Sequence, residues 1–308
     1  MSENAAEAAV SAQRHTPSTE PPAYQKFFKK FQSAVSVNKM HLPGGYSIAY
    51  YDYGPRDKTA IPLVCLHGTC SGPQVFYKQI VSLAARGQRV IALSVPNTLD
   101  HYACVNLVGK FLDSLELMKP VHIWGVGLGG FIALLFSCRH GRRVASLVLT
   151  NAFCDSTYYF ENCGGGYLPV SSLQFLPAFV LKQNLLQEIE HGMGVADTSK
   201  VDAVDFIVDH MERLSQDDLA CRLTLRNTHA KVEALPSKIK EHQHIVTLLD
   251  TMDRAPHVME MSQQLYDLLP EARQALLKDG GDFPHLSRSE EVNLHLLVHL
   301  RRFTETES

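Results

Sequence analysis

The chain has 308 residues, 45% hydrophobic and 20% charged, the ordinary proportions of a globular protein able to bury one large core. Its formal charge of -3 lacks the basic footprint that nucleic-acid binding requires. Its seven cysteines form no C-x-x-C pair and no metal-ligand spacing, so no metal site and no cofactor is expected. Cys65 and Cys138 fall inside apolar runs and read as buried, reduced thiols, which fits the cytosol.

Residues 1–24 are rich in Ala, Ser, Glu and Pro, read as a disordered tail, and lack the charged and apolar regions of a signal peptide. The segment "YQKFFKKFQSAV" follows. Its Phe27, Phe28 and Phe31 read as pins holding a strap to the domain, and its lysines allow at most peripheral contact with an anionic membrane surface. No apolar run reaches the ~20 residues a membrane span needs.

From Tyr46 the pattern is regular. "YSIAYYDYG" alternates as a strand and ends at Gly54-Pro55, and "PLVCLHG" is a short apolar run of the kind buried on both faces. A helical stretch over about 75–85, the strand "RVIALSVP", a helix over 101–117 and the strand "VHIWG" come next. Another helix then leads into the strand "VASLVLTNAF". Strands alternating with helices predict a mostly parallel sheet covered on both faces.

Residues 154–240 break the rhythm and read as a helical cap insertion over the C-terminal edge of the sheet, in one domain spanning 25–308. Within the cap, "SSLQFLPAFVLKQNLL" has a helical pattern. In "VDAVDFIVDHMERL" the spacing of Val201, Val204, Val208, Met211 and Leu214 predicts the buried face of an amphipathic helix. Ser215 and Asp218 mark another helix start. The alternation resumes with "HIVTLLD", a helix over 257–269, "ARQALLKDGGDF" and a last helix, "SEEVNLHLLVHLRRF".

The chemistry is written around "VHIWGVGLGGFIALLF". A strand, tight turn and helix carrying Gly125-Val126-Gly127-Leu128-Gly129 have the frame of the G-x-S-x-G nucleophile elbow, with Gly127 where serine would attack. Glycine tolerates the strained dihedrals of an elbow but has no side chain to act as nucleophile. The loop "LHGTCSGPQ" supplies His67-Gly68 to an oxyanion frame completed by the Leu128 amide. Gly125, Gly127 and Gly130 also fit G-x-G-x-x-G, a weak dinucleotide signal off the first strand of the sheet.

The base position is altered as well. "LLKDGGDFPHLS" has the shape of a hydrolase G-x-G-H-F-P ending, with Asp282 where the histidine belongs. A carboxylate of reference pKa near 4 is a poor base for a serine hydroxyl. Asp253 in "LLDTMDRAP" stands where the triad acid follows its strand, or is a turn residue. Cys70 and His285 are the residues through which a rebuilt site would act. If Asp253 and Asp282 approach each other, one carboxyl should be harder to ionise. The positions Gly127, Asp253 and Asp282 therefore read as vestiges of a triad, and no catalytic residue is expected.

The strings "FLPAFVLKQ", "DAVDFIVDHMERLSQDDLACRLTL" and "GGDFPHLSRSEEVNLHLLVHL", with "YDYGP" and "GLGGF", resemble the maspardin family, from about Phe31 to the end. The resemblance implies an α/β-hydrolase fold without demonstrated hydrolase activity. It also implies a cytosolic protein that meets endosomal or trans-Golgi membranes through protein partners, such as trafficking proteins or a receptor cytoplasmic tail. The family usually keeps the elbow serine, which Gly127 removes here. The alternative is a hydrolase or small-ligand receptor with a non-standard site.

Overall fold

The computed structural model describes residues 23–57, 60–163, 168–192 and 197–303. Nearly all of the predicted tail, residues 1–22, lies outside the described residues, as do residues 164–167 and 193–196 of the cap. The sheet comprises β1 (Asn38–Leu42), β2 (Tyr46–Tyr53), β3 (Leu63–Leu66), β4 (Val90–Leu93), β5 (Val121–Val126), β6 (Val144–Thr150), β7 (Val246–Thr251) and β8 (Arg273–Leu277). Their spatial order is β1-β2-β4-β3-β5-β6-β7-β8. β1 and β2 pair antiparallel, β2 meets β4 antiparallel, and the remaining pairings are parallel. This is the expected α/β-hydrolase architecture, to which the structure adds β1, a strand the sequence reading did not contain.

β3, β4 and β5 are buried at every position. Because strand side chains alternate faces, Leu63 and Cys65 join one apolar cluster while Val64 and Leu66 join the other. Helices α1 (Ala23–Ala34), α2 (Tyr77–Ala84), α3 (His101–Ser114) and α4 (Leu128–His140) belong to the first half of the chain. The cap region holds α5 (Thr157–Glu161), α6 (Ala178–Gly192), α7 (Thr198–Met211), α8 (Gln216–Asn227) and α9 (Ser237–Glu241). Then follow α10 (Pro256–Leu268), α11 (Pro284–Ser287) and α12 (Ser289–Arg301).

The basic aromatic segment is α1. Tyr24, Phe28 and Phe31 are buried, with Phe28 set edge-on to Phe206 of α7 and Tyr77 of α2. Phe27, expected to pin the strap with the others, is instead 69% exposed. On a helix, neighbours in sequence sit about 100° apart, so Phe27 cannot share the buried face of both Phe28 and Phe31.

Three other expectations are corrected. Cys138 is exposed on α4, its thiol directed at the Ala234 carbonyl; Cys65 is buried as expected. The pattern "SSLQFLPAFVLKQNLL" divides into a 3-10 turn, Val170–Phe175, and α6, with Leu176 extended between them (ψ 137). Pro177 enforces the break by disfavouring helical backbone at the residue before it. On α7 the buried face is Lys200, Ala203, Phe206, Ile207, His210 and Met211, while Val201 is exposed. The stripe is rotated by one position because Phe206 and Ile207 offer more apolar surface to α1 and α2 than the valines do.

Side-chain caps start three helices: Asp100 accepts from the Ala103 amide, Asp197 from the Lys200 amide, and Ser215 with Asp218 forms a reciprocal capping box. Asp197 also pairs with Arg288, which pairs in turn with Asp279. The start of α7 is thereby tied to the loop after β8.

Candidate functional site

The turn from β5 into α4 has the backbone of an elbow. Gly127 sits at φ 53, ψ -118, a region that L side chains rarely adopt. Its amide donates to the Thr150 carbonyl (3.0 Å), and its carbonyl accepts from Gly130 and Phe131 (2.9 and 3.1 Å). A Cβ at Gly127 would meet nothing nearer than the Gly68 Cα at 4.0 Å, so the position is conformationally demanding and sterically open. Gly129 is the reverse: a Cβ there would lie 2.1 Å from the Leu66 carbonyl oxygen, because α4 leaves the elbow in contact with β3.

Gly127, Leu128 and Gly68 all line a cavity of about 640 Å³ beneath the cap, at the C-terminal ends of the strands. Leu128 is the first residue of α4, where helix amides have no partner within the helix. The Leu128 amide, expected in an oxyanion frame, thus lies at the cavity without a partner inside the helix. His67 plays a different part. It is fully buried, its Nε2 accepts from the Val95 amide (2.9 Å), and its Nδ1 donates to the Gly68 carbonyl (2.7 Å). Burial, helped by the Arg222 charge, pushes its pKa down to about 3. His67 is a neutral strut between the ends of β3 and β4 and does not line the cavity.

Asp253 follows β7 as expected, but its partners are not those of a triad acid. It accepts from the amides of Gly280 (3.1 Å) and Gly281 (3.0 Å), and Lys200 of α7 reaches it at 2.6 Å. Burial opposes its ionised form, but the Lys200 ammonium and the two amides outweigh burial and hold the carboxyl below its ordinary range. A cap lysine thus holds the carboxyl that the sequence offered as a triad acid.

Asp282 lines the cavity, half-buried, and makes no hydrogen bond or ion pair to any described residue. Loss of hydration raises its pKa to about 6; the Glu188 and Asp253 charges add to the shift and Arg254 opposes it. The expected divergence of the two carboxyls is present, with burial rather than their mutual repulsion as its chief cause.

The two rescue residues do not form a pair. Cys70 lines the cavity, but burial first, and Glu188 second, push its thiol up to about 12. His285, 1% exposed among Phe76, Trp124 and Phe283, has no hydrogen bond at either ring nitrogen. Burial pushes its pKa down to about 3. Nothing in this arrangement generates a thiolate or passes a proton to a base.

Several residues of the site were not legible in the sequence. Lys200 is one. Arg226 is another: it grips Glu188 through both terminal nitrogens (2.6 and 3.0 Å) and lies over the Tyr159 ring. Asn151, at φ 48, receives the Thr251 amide and donates to the Gly281 carbonyl, both at 3.1 Å, so it positions the loop that carries Asp282. Asparagine's tolerance of positive φ was the one available signal. Among the described residues, no group of His, Cys, Asp and Glu is gathered to hold a metal, and no helix is long and apolar enough to cross a membrane.

Comparison with known proteins agrees with this geometry. Residues 61–170 match the family model for the alpha/beta hydrolase fold. Among solved structures, the enol-lactonase from Burkholderia xenovorans superposes with a TM-score of 0.65 at 14% identity, covering 86% of this chain and 100% of that one. A thermophilic esterase from Thermogutta terrifontis gives 0.64 at 15% identity, over 87% and 98%. Identities this low speak to fold alone. Maspardin of Homo sapiens is 39% identical over 280 residues, 90% of this chain and 87% of its own length. Maspardin of Danio rerio is 38% identical over 280 residues, 90% of this chain and 86% of its own length. With both sequence and architecture in agreement, the chain belongs to the maspardin family of α/β-hydrolase-fold proteins.

Proposed function

We propose that the chain is a non-catalytic member of the hydrolase fold that acts by binding other proteins, in endosomal or trans-Golgi trafficking or in receptor signalling. The observation that carries the first half is the elbow itself. Gly127 holds the nucleophile's backbone conformation without a side chain, Asp282 stands at the base position, and Asp253 is engaged by Lys200. A triad hydrolase needs a nucleophile, a base and an orienting acid in mutual contact. The second half is supported by membership of the maspardin family and by the properties that resemblance implies. The compartment proposed is the cytosol, at the periphery of those membranes.

Two experiments test the reading. Purified full-length protein should hydrolyse p-nitrophenyl acetate and butyrate no faster than buffer. Turnover that disappears in Asp253→Ala would overturn the non-catalytic half. Proximity labelling from the full chain in its native cell should enrich proteins of the cytoplasmic face of endosomes or the trans-Golgi network. Labelling confined to other compartments would overturn the trafficking half.

A further inference from the structure

The large cavity keeps its shape although the triad is gone, and its charges are unevenly matched. At about 640 Å³ it has the size of a small-molecule site. Val126, Phe153, Leu173, Leu223, Val258 and Phe283 supply an apolar wall. Arg226 is neutralised by the two-pronged pair with Glu188. Arg254 donates to Ser262 (2.7 Å) and lies 3.5 Å from Asp250. Lys200, which borders Asp282 in an adjoining crevice, is held by Asp253. His257 stacks on Tyr158, and its pKa is lowered chiefly by burial. Among the described residues the carboxyl of Asp282 has no hydrogen bond or ion pair, and the Arg254 charge favours its ionised form without pairing with it.

We infer that this cavity is a binding site for a small organic cation, a primary or secondary ammonium on an apolar body, with Asp282 as its counter-ion. An ionised carboxylate only accepts hydrogen bonds. An ammonium donates to it and offsets its charge, while the body of the ligand covers the apolar wall. An anionic ligand fits less well. It would face the Asp282 charge, and the free Nη1 of Arg254 is sealed from solvent. Burying a carboxylate without a counter-charge is costly, which gives the ligand its sign.

The test uses the full chain at neutral pH and three probes of like shape: phenylbutylamine, phenylbutanol and phenylbutyrate, titrated by calorimetry. The amine should bind saturably and at least tenfold more tightly than the acid. Asp282→Asn, which keeps the shape and removes the charge, should weaken the amine at least tenfold and leave the alcohol unchanged. Asp282→Glu should retain amine binding, and Val258→Trp, which fills the cavity, should abolish it. Amine binding indifferent to Asp282→Asn, tighter binding of the acid, or no binding of any probe would each overturn the inference. Ester hydrolysis would refute the non-catalytic reading and leave amine binding unaffected, so the two fail separately.

Discussion

Gly127→Ser restores the residue that the elbow frame calls for, and the structure fixes what it should do. Steric cost is absent, because the nearest atom to a new Cβ is the Gly68 Cα at 4.0 Å. Backbone cost is present, because φ of 53 with ψ of -118 must now be held by a residue with a Cβ. Strain of this kind amounts to roughly 1–3 kcal/mol. Gly129→Ala serves as the contrast. Its Cβ would fall 2.1 Å from the Leu66 carbonyl oxygen, so β3 and α4 must separate, and a loss above about 3 kcal/mol is expected. Urea unfolding followed by circular dichroism should show both midpoints lowered, Gly129→Ala by much more, with slopes unchanged. The serine variant should still lack esterase activity, because Asp282 stands at the base position and Lys200 holds Asp253. A Gly127→Ser midpoint equal to or above that of the parent would refute the backbone reasoning. A Gly129→Ala loss no greater than that of Gly127→Ser would refute the packing reasoning.

Lys200→Met keeps the side-chain stem and removes the ammonium from Asp253; losing a charge-assisted bond should cost about 1.5–3 kcal/mol. Calorimetry that shows no lowering of Tm would mean the cap lysine is dispensable. Acid should destabilise the fold early. Burial above all holds His67, His285 and His299 neutral, with pKa values pushed down to about 3, and His122 to about 4. The unfolded chain protonates its histidines near pH 6.5, so their contribution is complete above that pH and is lost as pH falls toward the folded values. Asp282, raised to about 6, works in the opposite sense and offsets one histidine. These four histidines less Asp282 leave three protons, a slope of roughly 4 kcal/mol per pH unit near pH 5 from these groups. Urea midpoints that stay flat from neutrality to about pH 5 would contradict the neutral burial of these rings. Finally, Ellman's reagent on native protein should titrate the exposed Cys138 first, and Cys138→Ser should remove that fast phase. Fast labelling of Cys70 instead would contradict its raised thiol pKa.

The sequence by itself determined the sheet's interior, the elbow and what the elbow lacks. Short uninterrupted apolar runs bounded by Pro and Gly, such as Leu63–Leu66, read as strands covered on both faces, and "GVGLGG" between a strand and a helix defines a sharp turn whatever packs around it. The absence of a hydroxyl at Gly127 and of an imidazole at Asp282 is likewise a property of residue identity. The capping box of Ser215 and Asp218 was legible for the same reason, since it depends on a four-residue span. What only the tertiary structure decided was pairing across distance. Lys200 and Asp253 are far apart in the chain and meet because α7 folds back over the loops after β7 and β8. His67 became a strut rather than an oxyanion residue through its bond to Val95. The buried face of α7 turned toward Phe206 because α1 and α2 supplied aromatic partners. Local pattern states which side chains can be buried or can titrate; which of them face one another depends on contacts between segments that no short window of sequence contains.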